Sequence, residues 1–162
     1  MPTGKNQTFN VTLLGFLLAM TLFARSPELH GACVAAPWTN FLTCHFHHAN
    51  LFHWGCNALA LWLMRPSPSA MLVALVYGSF AMLAATQPTI GISAAIYAYI
   101  GMNIFRWNMK FSDWATFIIA NILTYFMPGV AFGVHLAAFI VGVGHACIEY
   151  QLDRIKRILL DN

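Results

Sequence analysis

The sequence predicts an all-α membrane protein, a single domain built as a bundle of six transmembrane helices. Charged side chains make up 8% of the 162 residues, against about 25% in a soluble domain. Hydrophobic residues make up 59% of the chain and fall into six apolar stretches with short breaks between them. So few charges cannot cover the solvated surface that a soluble enzyme or a nucleic-acid-binding protein needs.

Each predicted span is a run of apolar residues that stops at a charged residue, a proline or a glycine. The first is a retained span rather than a signal peptide, because no small-residue cleavage site ends it and the polar segment 25–28 follows directly. The fourth is short and ends at Arg106, and the sixth continues into a polar amphipathic tail. The predicted spans are residues 9–24, 52–64, 70–85, 92–105, 114–127 and 130–148.

The basic residues favour an even number of spans. With six spans, both termini and the loops after the second and fourth spans lie on one side of the membrane. That side holds seven of the eight basic residues: Lys5, Arg65, Arg106, Lys110, Arg154, Lys156 and Arg157. The positive-inside rule therefore places both termini in the cytoplasm and the long segment 26–51 outside. Within that segment, the aromatic stretch 37–42 is expected to lie at the membrane interface, with Trp38 at headgroup depth.

Four polar residues lie inside predicted spans, where an uncompensated polar group is costly and therefore suggests function. His53 and Asn57 are four residues apart and so share one face of the second span. Ser93 lies at the start of the fourth span, where backbone N–H groups are free and the helix dipole favours negative charge. His135 lies early in the sixth span, and all four residues are expected at a similar shallow depth.

These residue types are the parts that acyl transfer requires. Ser93 would attack a carbonyl carbon, and His135 would act as general base and then as general acid to the leaving amine. The N–H of Ser93 and the side chains of His53 and Asn57 would stabilise the tetrahedral oxyanion. Because no predicted span holds an Asp or Glu at this depth, the expected unit is a Ser–His dyad without a carboxylate, and it needs no cofactor.

The ordered set of these residues resembles the rhomboid family of intramembrane serine proteases, over residues 9–148. The residues that carry the resemblance are, in order, His53, Asn57, Gly91, Ser93 and His135. The resemblance implies a minimal six-span enzyme of the bacterial inner membrane, with its site open to the external side. It also implies that the substrates are single-span membrane proteins embedded in the same bilayer, with no soluble partner.

Further positions match the family, and the resemblance gives each a role. His48 matches a histidine that helps to structure the first external loop, and Tyr97 matches an aromatic residue that packs against the catalytic histidine. Gly101 and Gly142 match small residues through which the fourth and sixth spans approach closely.

Two positions depart from the family pattern. Ala94 follows the serine where the family has glycine, and Ala138 stands three residues after the histidine where glycine is common. We expect the two added methyl groups to widen the distance between Ser93 and His135 by a few tenths of an ångström or to shift the preceding loop, with activity retained.

Two other functions are consistent with the sequence. The segment His45–Asn50 is rich in histidine, the commonest metal ligand, and would suit a metal-binding membrane enzyme. A catalytically inactive rhomboid-like protein that binds transmembrane segments is the other alternative. For the protease, the same segment is expected to line a water-filled cavity together with the polar residues of the spans.

Overall fold

All regular secondary structure in the described part of the chain is helical. The computed structural model describes residues 4–23, 43–85, 89–107, 110, 114–115, 117–119, 121–122 and 131–160. Within these ranges the α-helices are α1 (Gly4–Phe23), α2 (Leu51–Met64), α3 (Pro68–Ala81), α4 (Ser93–Met102) and α5 (Phe132–Leu160). Short 3-10 helices precede α2 at Cys44–Phe46 and continue α3 at Met82–Ala84. The predicted all-α fold class is confirmed.

The first four helices coincide, to within a few residues, with the first four apolar stretches predicted to be spans. The last helix, α5, covers the predicted sixth span and then continues without a break to Leu160. The predicted fifth span is described only in part. The expected interfacial stretch around Trp38 lies outside the described residues.

The ends of α2 and α3 follow from local sequence signals. The Asn50 side chain accepts a hydrogen bond from the N–H of His53 at 2.8 Å and so caps the N-terminus of α2. Helix α2 ends at Arg65, which adopts the left-handed conformation with φ 48°. The hydroxyl of Ser67 then caps α3, which begins with a proline at its first position.

Helix α4 is the centre of the bundle. It packs most extensively against α5 and next against α3, and eight of its ten residues are buried. Most of these are small, as in Ala94, Ala95, Ala98 and Gly101. Small side chains let the neighbouring backbones come close. Close packing of this kind is what stabilises contacts between helices in lipid, where the hydrophobic effect does not drive their association.

Helices α4 and α5 approach closely at Gly101 and Gly142. A Cβ atom on Gly101 would meet the carbonyl oxygen of Phe139 and lie 2.8 Å from the N of Val143. A Cβ on Gly142 would meet the carbonyl oxygen of Ala98. The close contact of these two helices, which the resemblance implies, is confirmed by this geometry.

Replacing Gly142 with alanine is expected to destabilise the fold, since the added methyl group must push α4 and α5 apart. Overpacking of this kind costs about 1–3 kcal/mol. Gly144→Ala is the matched control, because a Cβ there meets nothing within 4 Å and alanine favours a helix by about 0.5–1 kcal/mol over glycine. Thermal unfolding in detergent micelles measures both variants, and equal shifts in melting temperature would contradict the assigned contact.

Large apolar side chains are exposed on α1, α2, α3 and α5, whereas α4 is mostly buried. Examples from successive helices are Phe16, Phe52, Leu72 and Ile140, each between 48% and 74% exposed. Among the described helices, Phe132–Leu160 is long and apolar enough to cross a membrane, and the apolar helices Gln7–Phe23, Leu51–Met64, Pro68–Ala84 and Ser93–Met102 are shorter. Exposed apolar surface of this extent is typical of a protein that contacts lipid or a large apolar partner.

Candidate functional site

Ser93 is the first residue of α4, as the sequence predicts. The chain reaches it through Gly91, whose φ of +114° is a conformation that side-chain-bearing residues rarely adopt. Because the first N–H groups of a helix have no intrahelical acceptor, the N–H of Ser93 can donate to a group outside the helix. The tight turn therefore places a hydroxyl beside a backbone donor at a helix N-terminus.

The hydroxyl of Ser93 lies against the imidazole of His135. Ser93 Oγ is 2.8 Å from His135 Nε2, although the two residues are 42 positions apart in the chain. Both side chains are buried. An imidazole at this distance is within reach of the hydroxyl proton, the geometry that a nucleophile and its general base require.

An aromatic ring stacks on the imidazole of His135. Tyr97, one turn after Ser93 on α4, stacks on it with ring centroids 4.4 Å apart and an angle of 8° between the ring planes. Among the described residues, the buried Nδ1 of His135 has no hydrogen-bond partner. In the described part of the chain, the ring that orients this pair is that of Tyr97.

His53 and Asn57 of α2 face the turn before Ser93. A Cβ on Gly91 would lie 2.8 Å from Nε2 of His53 and 3.6 Å from Nδ2 of Asn57, so only a glycine leaves room for these side chains. The Nδ2 group of Asn57 is buried and has no acceptor among the described residues. A buried donor without an acceptor is rare in a native structure, and here it lies beside the N-terminus of α4.

His48 connects this cluster to α1. Its ring meets the ring of His53 edge to face with centroids 5.1 Å apart. Its Nδ1 lies 3.4 Å from the hydroxyl of Thr21. His48 therefore braces the first loop between α1 and α2, in keeping with the supporting role that the resemblance implies.

All seven residues predicted for the site thus lie around the start of α4. Neither a protein-family model nor a curated protein matches this chain. The function is therefore inferred from the geometry of these side chains and from what their chemistry allows.

The structure shows no widening of the reacting pair beside Ala94 and Ala138, and the alternative expectation, a shift of the preceding loop, stays a prediction. The 2.8 Å between Ser93 Oγ and His135 Nε2 is an ordinary hydrogen-bond length. Both alanine side chains are buried. Helices α4 and α5 approach closely at Gly101 and Gly142, further from Ser93.

The histidine-rich segment does not gather a ligand set in the described part of the chain. No three His, Cys, Asp or Glu side chains among the described residues come together as a metal-binding group. His45 instead bonds through Nε2 to the hydroxyl of Ser79 at 3.1 Å. Asn50, expected with this segment to line a cavity, caps α2.

Sequence reasoning missed one feature that holds the bundle together. Gly78 of α3 has no signal of its own, yet a Cβ on it would lie 2.8 Å from the backbone N of Ala95. His145, which the sequence suggests is a satisfied packing residue without a functional role, lies 2.8 Å from the hydroxyl of Tyr77 and 3.5 Å from the carboxylate of Glu149. Contacts such as those of Gly78 and Tyr77 join different helices and become visible only once the helices are packed.

Acid is expected to destabilise the fold, because two buried loop histidines are neutral in it. Burial lowers the pKa of His45 to about 4. Burial, together with the imidazoles of His53 and His47, lowers the pKa of His48 to about 3. An unfolded histidine titrates near 6.5, so below that pH the unfolded chain binds more protons. The free energy of unfolding should be greatest above about pH 6.5 and fall by up to about 1.4 kcal/mol per pH unit for each histidine down to about pH 4.

Melting temperatures in detergent between about pH 7.5 and about pH 4.5 measure this effect. His45→Gln removes one of these two buried imidazoles, so the melting temperature should fall less steeply as the pH is lowered. A melting temperature that stays constant over this range would contradict the assignment of neutral buried imidazoles.

Proposed function

We propose that the chain is an intramembrane serine protease of the rhomboid type, which hydrolyses peptide bonds in or next to the transmembrane segments of other proteins. The observation that carries the proposal is the 2.8 Å contact between Ser93 Oγ and His135 Nε2. It lies at a helix N-terminus, with the backbone N–H of Ser93 and the unpaired amide of Asn57 beside it. A nucleophile, a base and oxyanion donors in one place are the parts that acyl transfer needs.

The proposal includes six membrane spans with both termini in the cytoplasm. Its support is the exposed apolar side chains of α1, α2, α3 and α5. A six-span arrangement also places seven of the eight basic residues on one side of the membrane. Helix α4 has ten residues, a rise of about 15 Å, against about 30 Å of hydrocarbon. Because α4 is buried among its neighbours, its ends meet protein rather than lipid, and a short helix is tolerated there.

The reaction follows from the positions of the donors. His135 Nε2 accepts the hydroxyl proton while Ser93 Oγ bonds to the carbonyl carbon, and the carbonyl oxygen takes up the negative charge. The N–H of Ser93 and the side chains of His53 and Asn57 stabilise that oxyanion. The imidazolium then protonates the leaving nitrogen, the C–N bond breaks, and an acyl-enzyme remains. Water, deprotonated by the same imidazole, hydrolyses the ester and restores both residues.

The substrate must unwind at the cut site. An intact helix holds each carbonyl in its own hydrogen-bond ladder, so the scissile carbonyl has to leave that ladder before Ser93 attacks it. Substrates with small or helix-breaking residues at the membrane surface unwind with the smallest loss of helix stability. We therefore propose single-span membrane proteins with such residues near their external end as the substrate class.

Labelling with a fluorophosphonate probe tests the proposal. We expect the purified protein in detergent to be labelled at Ser93 and to cleave a generic single-span substrate, with both signals absent in Ser93→Ala. Cleavage without labelling, lost on addition of a chelator, would favour the metal-dependent alternative. Binding of the substrate with neither labelling nor cleavage would favour a catalytically inactive binder.

A further inference from the structure

His45 is completely buried, yet the proposed reaction gives its imidazole no chemical step. Its Nε2 lies 3.1 Å from Ser79 Oγ. The hydroxyl of Ser79 donates its single hydrogen to the carbonyl oxygen of Leu75 at 2.9 Å. The oxygen of Ser79 is therefore the acceptor in the first bond, and the Nε2–H of His45 is the donor. This pair fixes the 3-10 turn Cys44–Phe46 to helix α3.

The fit of the imidazole on α3 depends on Gly78. A Cβ on Gly78 would lie 3.0 Å from Cε1 of His45 and 2.8 Å from the backbone N of Ala95. The missing side chain thus makes room for the imidazole and for the first turn of α4 together. His45, α3 and the start of α4 form one packed unit.

The same turn holds the loop that leads to the nucleophile. The carbonyl oxygen of Cys44, the residue before His45, accepts a hydrogen bond from the N–H of Gly91 at 2.9 Å. Gly91 is two residues before Ser93 and has the strained φ of +114°. A displacement of the turn would therefore move Gly91 and, with it, the backbone donors at the start of α4.

We propose that His45 is a positioning residue for the Ser93 site. By fixing the 3-10 turn to α3, it holds Gly91 and so sets where the N–H of Ser93 points. This inference rests on the proposed serine-protease function. It assigns to the histidine-rich segment a part in aligning the oxyanion donors.

Two substitutions of similar polarity separate positioning from simple packing. In His45→Gln, the terminal amide of the new side chain reaches the position of Nε2 and still donates to Ser79, whereas the shorter amide in His45→Asn does not. We expect His45→Asn to lower kcat and the rate of fluorophosphonate labelling by about tenfold to a hundredfold with KM unchanged, as small misplacements of reacting groups do. His45→Gln should restore both to within about threefold of the wild type.

Ser79→Ala removes the acceptor for His45, together with the local bond to Leu75, and should reproduce the loss in His45→Asn, with the double variant no worse than either single one. It also keeps the test decisive if His45→Asn does not fold. The control is His145→Gln, the same substitution at a histidine far from Ser93 along α5, which should leave kcat and labelling unchanged.

The outcomes separate this inference from the proposed function. A labelling rate in folded His45→Asn and in Ser79→Ala equal to that of the wild type would overturn the positioning role and leave the protease intact. An equal loss in His45→Gln and His45→Asn would also overturn it, because the donor to Ser79 would then not matter. Absence of labelling in the wild type would overturn the proposed function, and this inference with it.

Discussion

Ser93→Ala is expected to reduce cleavage of a single-span substrate by at least about ten-thousand-fold, because no other group among the described residues is placed to form the acyl-enzyme. His135→Ala should cause a loss of similar size, since the hydroxyl then loses its base. The two residues act on one proton in one step, so the double variant should be no slower than either single variant. Single-turnover cleavage in detergent or liposomes measures all three.

The fold should be unaffected by these changes, and this is the control. Ser93→Ala removes one oxygen whose partner is the His135 ring, so its melting temperature should stay close to that of the wild type. Substantial turnover in Ser93→Ala would show that another nucleophile or a metal ion does the work. A double variant much slower than both single ones would show that the residues act independently.

Asn57→Ala is expected to lower kcat about tenfold to a thousandfold with little change in KM, as the loss of one oxyanion donor does. The bond to the substrate oxygen strengthens only as negative charge develops, so the ground-state complex gains little from it. His53→Ala should behave in the same way. Steady-state kinetics on one substrate separates kcat from KM for each variant.

Asn103→Ala provides the matched control for this prediction. Asn103 is also a buried asparagine, at the other end of α4, and its amide is already bonded to the carbonyl oxygen of Tyr99 at 2.8 Å. This variant should lose some stability and retain kcat. If Asn57→Ala instead raises KM and retains kcat, the amide binds the substrate and does not stabilise the transition state.

Composition and short-range spacing account for what the sequence alone determined. The helical class and the approximate bounds of four helices followed from apolar runs that end at Pro, Gly or charged residues. Each of these signals involves only residues that are close together in the sequence. Asn57 four residues after His53 necessarily shares its helix face. The start of a helix at Ser93 followed in the same way from the Gly91 turn before it.

The tertiary structure alone decided which helices touch and how closely. Contacts such as His45 with Ser79, or Tyr77 with His145, join residues 34 and 68 positions apart, and no local pattern encodes such pairs. The close approach of α4 and α5 at Gly101 and Gly142 likewise depends on the surfaces of both helices. The physical reason is that packing depends on the combined shape of both surfaces, whereas a sequence motif describes only one of them.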